Sequence, residues 1–258
     1  MENDLHVAGL SSHSTYYMLH TTLLDILLPP ACLGCKSEGS FLCANCRETI
    51  KEYNYFVCPI CKRRDVYGRL DLDCREKSGL TRYFGAPLPY RSELVRKLIH
   101  NFKYNYAKDI ASPLTCILIE FLNKNKFPEL ISKYKKRALL IPVPMYDFRE
   151  RERGFNQATE IARIISEYYS ISMSPSGELE QALIKHKNTS KQADIKEKLD
   201  RVKNISGAFK CIRPEFIDNK IIILIDDVYT SGATIHECAR VLRSSGASEV
   251  WGMTVARG

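Results

Sequence analysis

No stretch of this 258-residue chain approaches the roughly 18 to 20 consecutive apolar residues that cross a bilayer as a helix, so no transmembrane segment is expected. The apolar run Leu23–Pro30 (LLDILLPP) contains Asp25 and stops at two prolines, so it reads as a docking turn of helix rather than an anchor. The first twenty residues lack the basic start and apolar core of a secretory signal, and the expected location is the cytosol. There is no low-complexity segment and no internal repeat beyond a recurring Cys-x2-Cys. Nor does a general base stand out: His100, His186 and His236 are isolated, and a lone histidine is more often structural.

What is present is enough for a core. Hydrophobic residues make up 45% and charged residues 26%, which suits one α/β domain with a small companion. The 38 Lys and Arg exceed the 30 Asp and Glu, giving a net charge of +8 that favours anionic partners without identifying one. Of the ten cysteines, seven lie between Cys32 and Cys74. In a reducing compartment, clustering of that kind points to metal rather than disulfides.

Two regions differ in pattern. Residues 31–77 are rich in cysteine and turn residues. Beyond Phe84, apolar strands alternate with amphipathic helices, the pattern of a parallel α/β sheet. The periodicity predicts helices around Leu94–Phe102, Pro113–Leu122, Gln157–Tyr169 and Thr234–Ser244, and strands at Ala138–Val143, Ile221–Ile225 and Val250–Val255. The polar, lysine-rich stretch 185–204 reads as a mobile loop or exposed helix. Cys116, Cys211 and Cys238 are expected to be buried.

Cys32-x2-Cys35 and Cys43-x2-Cys46 form two knuckles separated by seven residues. Each can present both thiolates to one ion, and four thiolates make a closed tetrahedral, structural zinc site. So turn-rich a region needs such a staple, and structural zinc in small fingers contributes roughly 10–16 kcal/mol. Cys58-Pro-Ile-Cys61 is a third knuckle with an incomplete partner: Cys74 is present, but Asp71 stands three residues before it. Either Cys58, Cys61, Asp71 and Cys74 hold a second zinc, or this knuckle is degenerate and metal-free.

The string IIILIDDVYTSGAT (221–234) carries the second chemistry. A β-branched apolar strand leads to Asp226 and Asp227 at its carboxyl end, where open α/β sheets place ligands. Thr230, Ser231, Gly232, Ala233 and Thr234 then run into a helix. Gly232 permits a tight bend, so successive backbone N–H groups, the hydroxyls and the helix dipole can converge on a phosphate. The two carboxylates would repel that phosphate, and suit sugar hydroxyls or a Mg²⁺ ion. Phosphate in the loop and vicinal hydroxyls on the acids describe a ribose 5-phosphate. The bland alternative is a solvated acidic strand end with Thr230 or Ser231 as a simple helix cap.

The segment Asp226–Thr234 resembles the ribose-phosphate signature of type I phosphoribosyltransferases. A wider set of motifs resembles the ComF family of competence-associated proteins: LLPP at 27–30 followed by the knuckles, LIHNFKY (98–104), IPVP (141–144), RGFNQ (153–157), TSKQ (189–192), NISGAF (204–209) and TVAR (254–257). The resemblance covers residues 23–258 and departs at Asp71, where relatives commonly carry cysteine. It implies a phosphoribosyltransferase-type sheet (81–258) behind a zinc-binding module (23–80), with residues 1–22 as an extension. It also implies a role in DNA uptake or single-stranded DNA handling, with partners in the uptake machinery. It does not fix a reaction.

Transfer from phosphoribosyl pyrophosphate, with Mg²⁺, would need cations or amides on the diphosphate. Arg153 with Gly154 is the candidate for that side, against the alternative that Arg149–Arg153 (RERER) is a solvated helix face. The competing function is a non-catalytic nucleic-acid-binding or adaptor protein, using the same pocket for sugar phosphates of single-stranded DNA and adding stacking rings from 102–108.

Overall fold

A computed structural model describes residues 29–105, 107–174, 181–189 and 198–258, and the expectations placed on 1–28, on the TSKQ motif beyond Thr189 and on the middle of the 185–204 stretch lie outside them. The chain divides into two compact units between Arg47 and Glu48. In the first, the knuckle turns are laced by backbone bonds from Cys32 N–H to Ser37 O (2.7 Å) and from Leu33 N–H to Phe41 O (3.0 Å). A one-turn helix, α1 (Ala44–Glu48), follows the second knuckle.

The second unit begins with the third knuckle and helix α2 (Leu72–Ser78). Asp71 caps α2 by accepting the Cys74 N–H, and Gly79 ends it in the left-handed region. Strands β1 (Arg82–Tyr83) and β2 (Leu88–Pro89) come next, then helices α3 (Glu93–Tyr104), α4 (Ala111–Lys124) and α5 (Phe127–Tyr134), strand β3 (Ala138–Pro142), and helices α6 (Asp147–Arg153) and α7 (Gln157–Tyr169). They are followed by β4 (Ser172–Met173), β5 (Leu183–Lys185), α8 (Lys198–Ile205), β6 (Phe209–Cys211), β7 (Ile221–Tyr229), α9 (Ala233–Ser244) and β8 (Glu249–Arg257). The main sheet is parallel throughout, in the order β1-β8-β7-β3-β4, with β2 also on β8.

Helices flank this sheet, as the alternating pattern predicts. Helices α4 and α7 pack on β8, β7 and β3, while α9 packs on β7 and β8 together with α2, α8 and β6. Ala158, Ile161, Ala162 and Ile165 on α7, and Ile235, Cys238, Ala239 and Leu242 on α9, recur at helical spacing and are all buried. Cys238 is buried on α9, whereas Cys116 and Cys211, expected to be buried, are only half-buried. One core cluster joins Cys58, Leu70, Cys74 and Leu80 to Tyr83, Ile222 and Tyr229, so the third knuckle shares the core of the sheet.

Three local readings change. The 185–204 stretch is not simply loop or exposed helix: its start belongs to an antiparallel hairpin of β5 with β6, and α8 lies between them in the chain. Helix α9 begins one residue earlier than Thr234, with Gly232 as its cap. Strand β7 does not stop at Ile225 but continues to Tyr229, because β8 is long enough to pair with it as far as Tyr229↔Arg257. The extension comes from pairing with β8, which runs beyond the expected Val250–Val255 as far as Arg257.

Candidate functional site

Because β7 continues through the acidic pair, Asp226 and Asp227 point to opposite faces of the sheet. Asp226 shares the face of Ile222 and Leu224, toward α9; Asp227 shares the face of Ile223 and Ile225. Each carboxylate also takes a backbone bond: Asp226 Oδ1 accepts the Asp227 N–H (2.9 Å) and Asp227 Oδ1 accepts the Val228 N–H (2.8 Å). Their environments differ. Asp227 is buried and pairs with Lys103 at the end of α3, Nζ to Oδ2 2.6 Å. Asp226 has no such partner among the described residues, and burial, reinforced by the charge of Asp227, raises its pKa to about 7.

The loop after β7 has the expected bend. Gly232 lies at φ 80°, and a Cβ there would meet the Tyr229 ring and come within 2.7 Å of His236 Cε1. The packing beneath it is fixed by a 2.8 Å hydrogen bond between Tyr229 Oη and His236 Nε2. Only glycine meets both demands, the left-handed turn and the close approach. Ser231 Oγ accepts the Ala233 N–H at 3.3 Å, Thr230 is exposed, and Ser231 and Thr234 are half-buried at the entrance to α9. The first amides of α9 have no partner within the helix, so this end can receive an anion.

Cations from three other segments gather on the acids. Burial lowers the Lys103 pKa, but the charges of Asp227 and Asp226 outweigh it and hold the group above its ordinary value. Lys185 at the end of β5 is pushed down to about 8 by burial and by Arg149, with Asp226 pulling the other way. Arg153 acts electrostatically on both lysines. It is no freely solvated face of the RERER helix: its guanidinium lies 4.9 Å over the Tyr104 ring and donates to Gln157 Oε1 at 3.1 Å. Gln157 Nε2 in turn donates to Phe102 O at 2.9 Å, tying α7 to the end of α3. Gly154 caps α6 in the left-handed region, with its N–H on Glu150 O, and so turns the chain toward α7. Arg151 and Glu152 are exposed. Lys103 and Lys185 are brought to Asp226 and Asp227 by packing alone, which no local pattern signals.

The four N-terminal thiols converge. Cys32, Cys35, Cys43 and Cys46 place their sulfurs within 4.8 Å of one another, and Cys35 to Cys43 is 3.6 Å. Zinc–sulfur bonds of about 2.3 Å in a tetrahedron separate sulfurs by about 3.8 Å, so the donors fit that ion. The Cys43 and Cys46 amides point at Cys32 Sγ (3.4 Å) and Cys43 Sγ (3.5 Å). Burial raises the Cys32 thiol, but the amides of Cys43, Cys35 and Gly34 more than offset this and bring it to about 6. Cys46 is driven to about 12, first by Cys35 and then by burial and the other thiols, as four crowded thiolates require a cation.

Cys58, Cys61 and Cys74 form a second cluster within the same limit. Asp71 Oδ2 lies 3.4 Å from Cys61 Sγ and 3.8 Å from the Arg63 guanidinium, while Oδ1 accepts the Cys74 N–H at 2.9 Å. The Cys74 thiol is pushed well up by burial and by Asp71.

A mostly parallel α/β sheet, preceded in the chain by a cysteine-rich zinc ribbon, is the class these features define: residues 23–75 match the double zinc ribbon domain, a span that includes both clusters. The particular relatives are competence and DNA-utilisation proteins. Competence protein ComFC of Bacillus subtilis (strain 168) is 29% identical over 225 residues, 84% of each chain. Competence protein F of Haemophilus influenzae is 27% identical over 239 residues, 87% of this chain and 96% of that protein. DNA utilization protein YhgH of Escherichia coli (strain K12) is 25% identical over 230 residues, 81% of this chain and 95% of that one. The resemblance to the ComF family read from the motifs is borne out along most of the chain.

Proposed function

We propose that this is a cytoplasmic ComF-like protein acting in DNA uptake or single-stranded DNA handling, with a site for ribose 5-phosphate or phosphoribosyl pyrophosphate at Asp226–Thr234. The names of its relatives, competence and DNA-utilisation proteins, support the link to DNA uptake. The sugar-phosphate site rests on one observation. Two carboxylates at the carboxyl end of a central parallel strand lead into a glycine turn at a helix N-terminus, with Lys103 on Asp227, Lys185 in the field of Asp226, and Arg149 and Arg153 close enough to act on those lysines. In this reading the sheet is of the phosphoribosyltransferase type, the amides and hydroxyls of Thr230–Thr234 hold the 5-phosphate, and Asp226 and Asp227, on opposite faces of β7, act separately, one on the ribose hydroxyls and the other on Mg²⁺. The cations, Arg153 and Gly154 among them, face the diphosphate, and Mg²⁺ supplies further charge neutralisation. The acceptor for a phosphoribosyl transfer is not specified by these residues. Structural zinc sits on Cys32, Cys35, Cys43 and Cys46, and a second on Cys58, Cys61, Cys74 and Asp71.

Calorimetric titration with phosphoribosyl pyrophosphate and Mg²⁺ tests the site. Binding is expected for the wild type and none for Asp226→Ala with Asp227→Ala; a folded wild type that releases no binding heat and shows no competition by ribose 5-phosphate refutes it.

A second reading, a nucleic-acid-binding or adaptor protein without transfer activity, draws on Arg64 stacked over Tyr55 (3.5 Å) and Arg69 over Tyr67 (5.8 Å), both rings partly exposed beside the third knuckle. Oligonucleotide affinity that falls with rising salt and with Tyr55→Ala, while phosphoribosyl pyrophosphate binds nothing, would favour it.

A further inference from the structure

Asp227 Oδ1 accepts the Val228 amide, and Oδ2 is the oxygen that faces Lys103. That oxygen is buried and, among the described residues, has no well-directed hydrogen bond, although the Lys103 ammonium lies 2.6 Å away. A buried carboxylate oxygen with an ammonium at 2.6 Å is neutralised in place, and it is freed only when another anion receives the ammonium. Lys103 is also not a loose surface lysine. Its neighbour Phe102 is fully buried, and the Phe102 carbonyl is bonded to Gln157, which holds Arg153, which stacks on Tyr104 at the end of the same helix. The end of α3, the α6–α7 junction and the carboxyl end of β7 therefore form one linked set.

We propose that Lys103 is a built-in counter-ion that closes Asp227 to divalent cations until an anionic ligand draws the ammonium away. The inference rests on the ribose-phosphate reading of this site and concerns how it is loaded. Mg²⁺ sheds its waters reluctantly and binds through one or two carboxylates with water completing its octahedron, so it does not displace an ammonium already in contact with Asp227 Oδ2. A phosphorylated ligand changes the balance, because its phosphate offers Lys103 a second anion while its hydroxyls or its own Mg²⁺ take up Oδ2. The two charges exchange partners, and neither is left buried and unpaired at any stage. The free site is then neutralised from within, and metal binding follows the sugar phosphate rather than preceding it. Lys103 is a positioning residue in this scheme, acting through Asp227.

The experiment is an electron paramagnetic resonance titration of Mn²⁺ into the zinc-loaded full chain, without sugar phosphate. Lys103→Met keeps the stem and removes the charge; it should bind Mn²⁺ at least about tenfold more tightly than the wild type, the effect of removing one competing charge contact of roughly 1.4 kcal/mol. The double variant Lys103→Met with Asp227→Asn should lose that gain, and Lys97→Met, an exposed change on the same helix, should behave as wild type. Equal Mn²⁺ affinity in the wild type and Lys103→Met overturns the proposal, as does a gain that survives in the double variant. If Lys103→Met does not fold, Lys103→Gln is judged by the same criteria. Ribose 5-phosphate added to the wild type forms a separate arm: failure to bind it refutes the ribose-phosphate reading, whereas the comparison of variants decides the role of Lys103.

Discussion

Asp226 should cost the protein stability at neutral pH, and Asp226→Asn should recover it. In the folded chain its pKa lies at about 7 against 3.8 for the free group, raised by burial and by Asp227. Every tenfold weakening of an acid on folding corresponds to about 1.4 kcal/mol, so full ionisation inside the fold costs at most about 4 kcal/mol; for a half-buried carboxylate beside Lys103, roughly 2–4 kcal/mol is expected. The sign follows from proton counting. Between pH 3.8 and about 7 the folded state keeps a proton that the unfolded state has lost, so stability falls as pH rises through that window and levels off above it. Asparagine keeps the Oδ1 that accepts the Asp227 amide and never ionises. Urea unfolding followed by Trp251, the single tryptophan and fully buried in β8, reports on this sheet. The two proteins should be nearly equal at about pH 4, and the variant should be more stable by roughly 2–4 kcal/mol at about pH 8. A difference that does not change with pH, or a variant less stable on the alkaline side, would refute the reasoning. If it holds, the acid is retained at the expense of stability, as expected of a group kept for a ligand.

Other outcomes follow from the same geometry. Gly232→Ala forces a Cβ into Tyr229 and His236 and a left-handed φ onto alanine, so it should cost about 1–3 kcal/mol of stability and abolish phosphate binding, read by urea unfolding and by titration with ribose 5-phosphate. Cys43→Ser removes a thiol 3.6 Å from Cys35 and should reduce the zinc content measured by a colorimetric chelator after denaturation; unchanged zinc would overturn the four-thiolate assignment. Gln157→Ala leaves the Phe102 carbonyl and the Arg153 guanidinium without their shared partner, and should cost about 1–2 kcal/mol while weakening diphosphate binding more than monophosphate binding.

The local sequence by itself determined the features whose parts lie close together in the chain. Two Cys-x2-Cys knuckles seven residues apart leave the four sulfurs little freedom but to converge, and they do. The glycine turn into α9 and the inward faces of α7 and α9 follow likewise from spacing and periodicity, because helix geometry is fixed within a few residues. Tertiary structure decided the rest. The length of β7 depends on β8, which is why the acids lie inside a strand and on opposite faces instead of after its end. The packing of Cys58 and Cys74 with the sheet depends on residues far along the chain. Above all, the charge around Asp226 and Asp227 was set by packing: Lys103 arrives on α3 and Lys185 on a hairpin, each from a segment whose own pattern gives no reason to choose that lysine over its neighbours. Burial is what makes the choice matter, since a carboxylate removed from water must find a cation or keep its proton, and here Asp227 does the first and Asp226 the second.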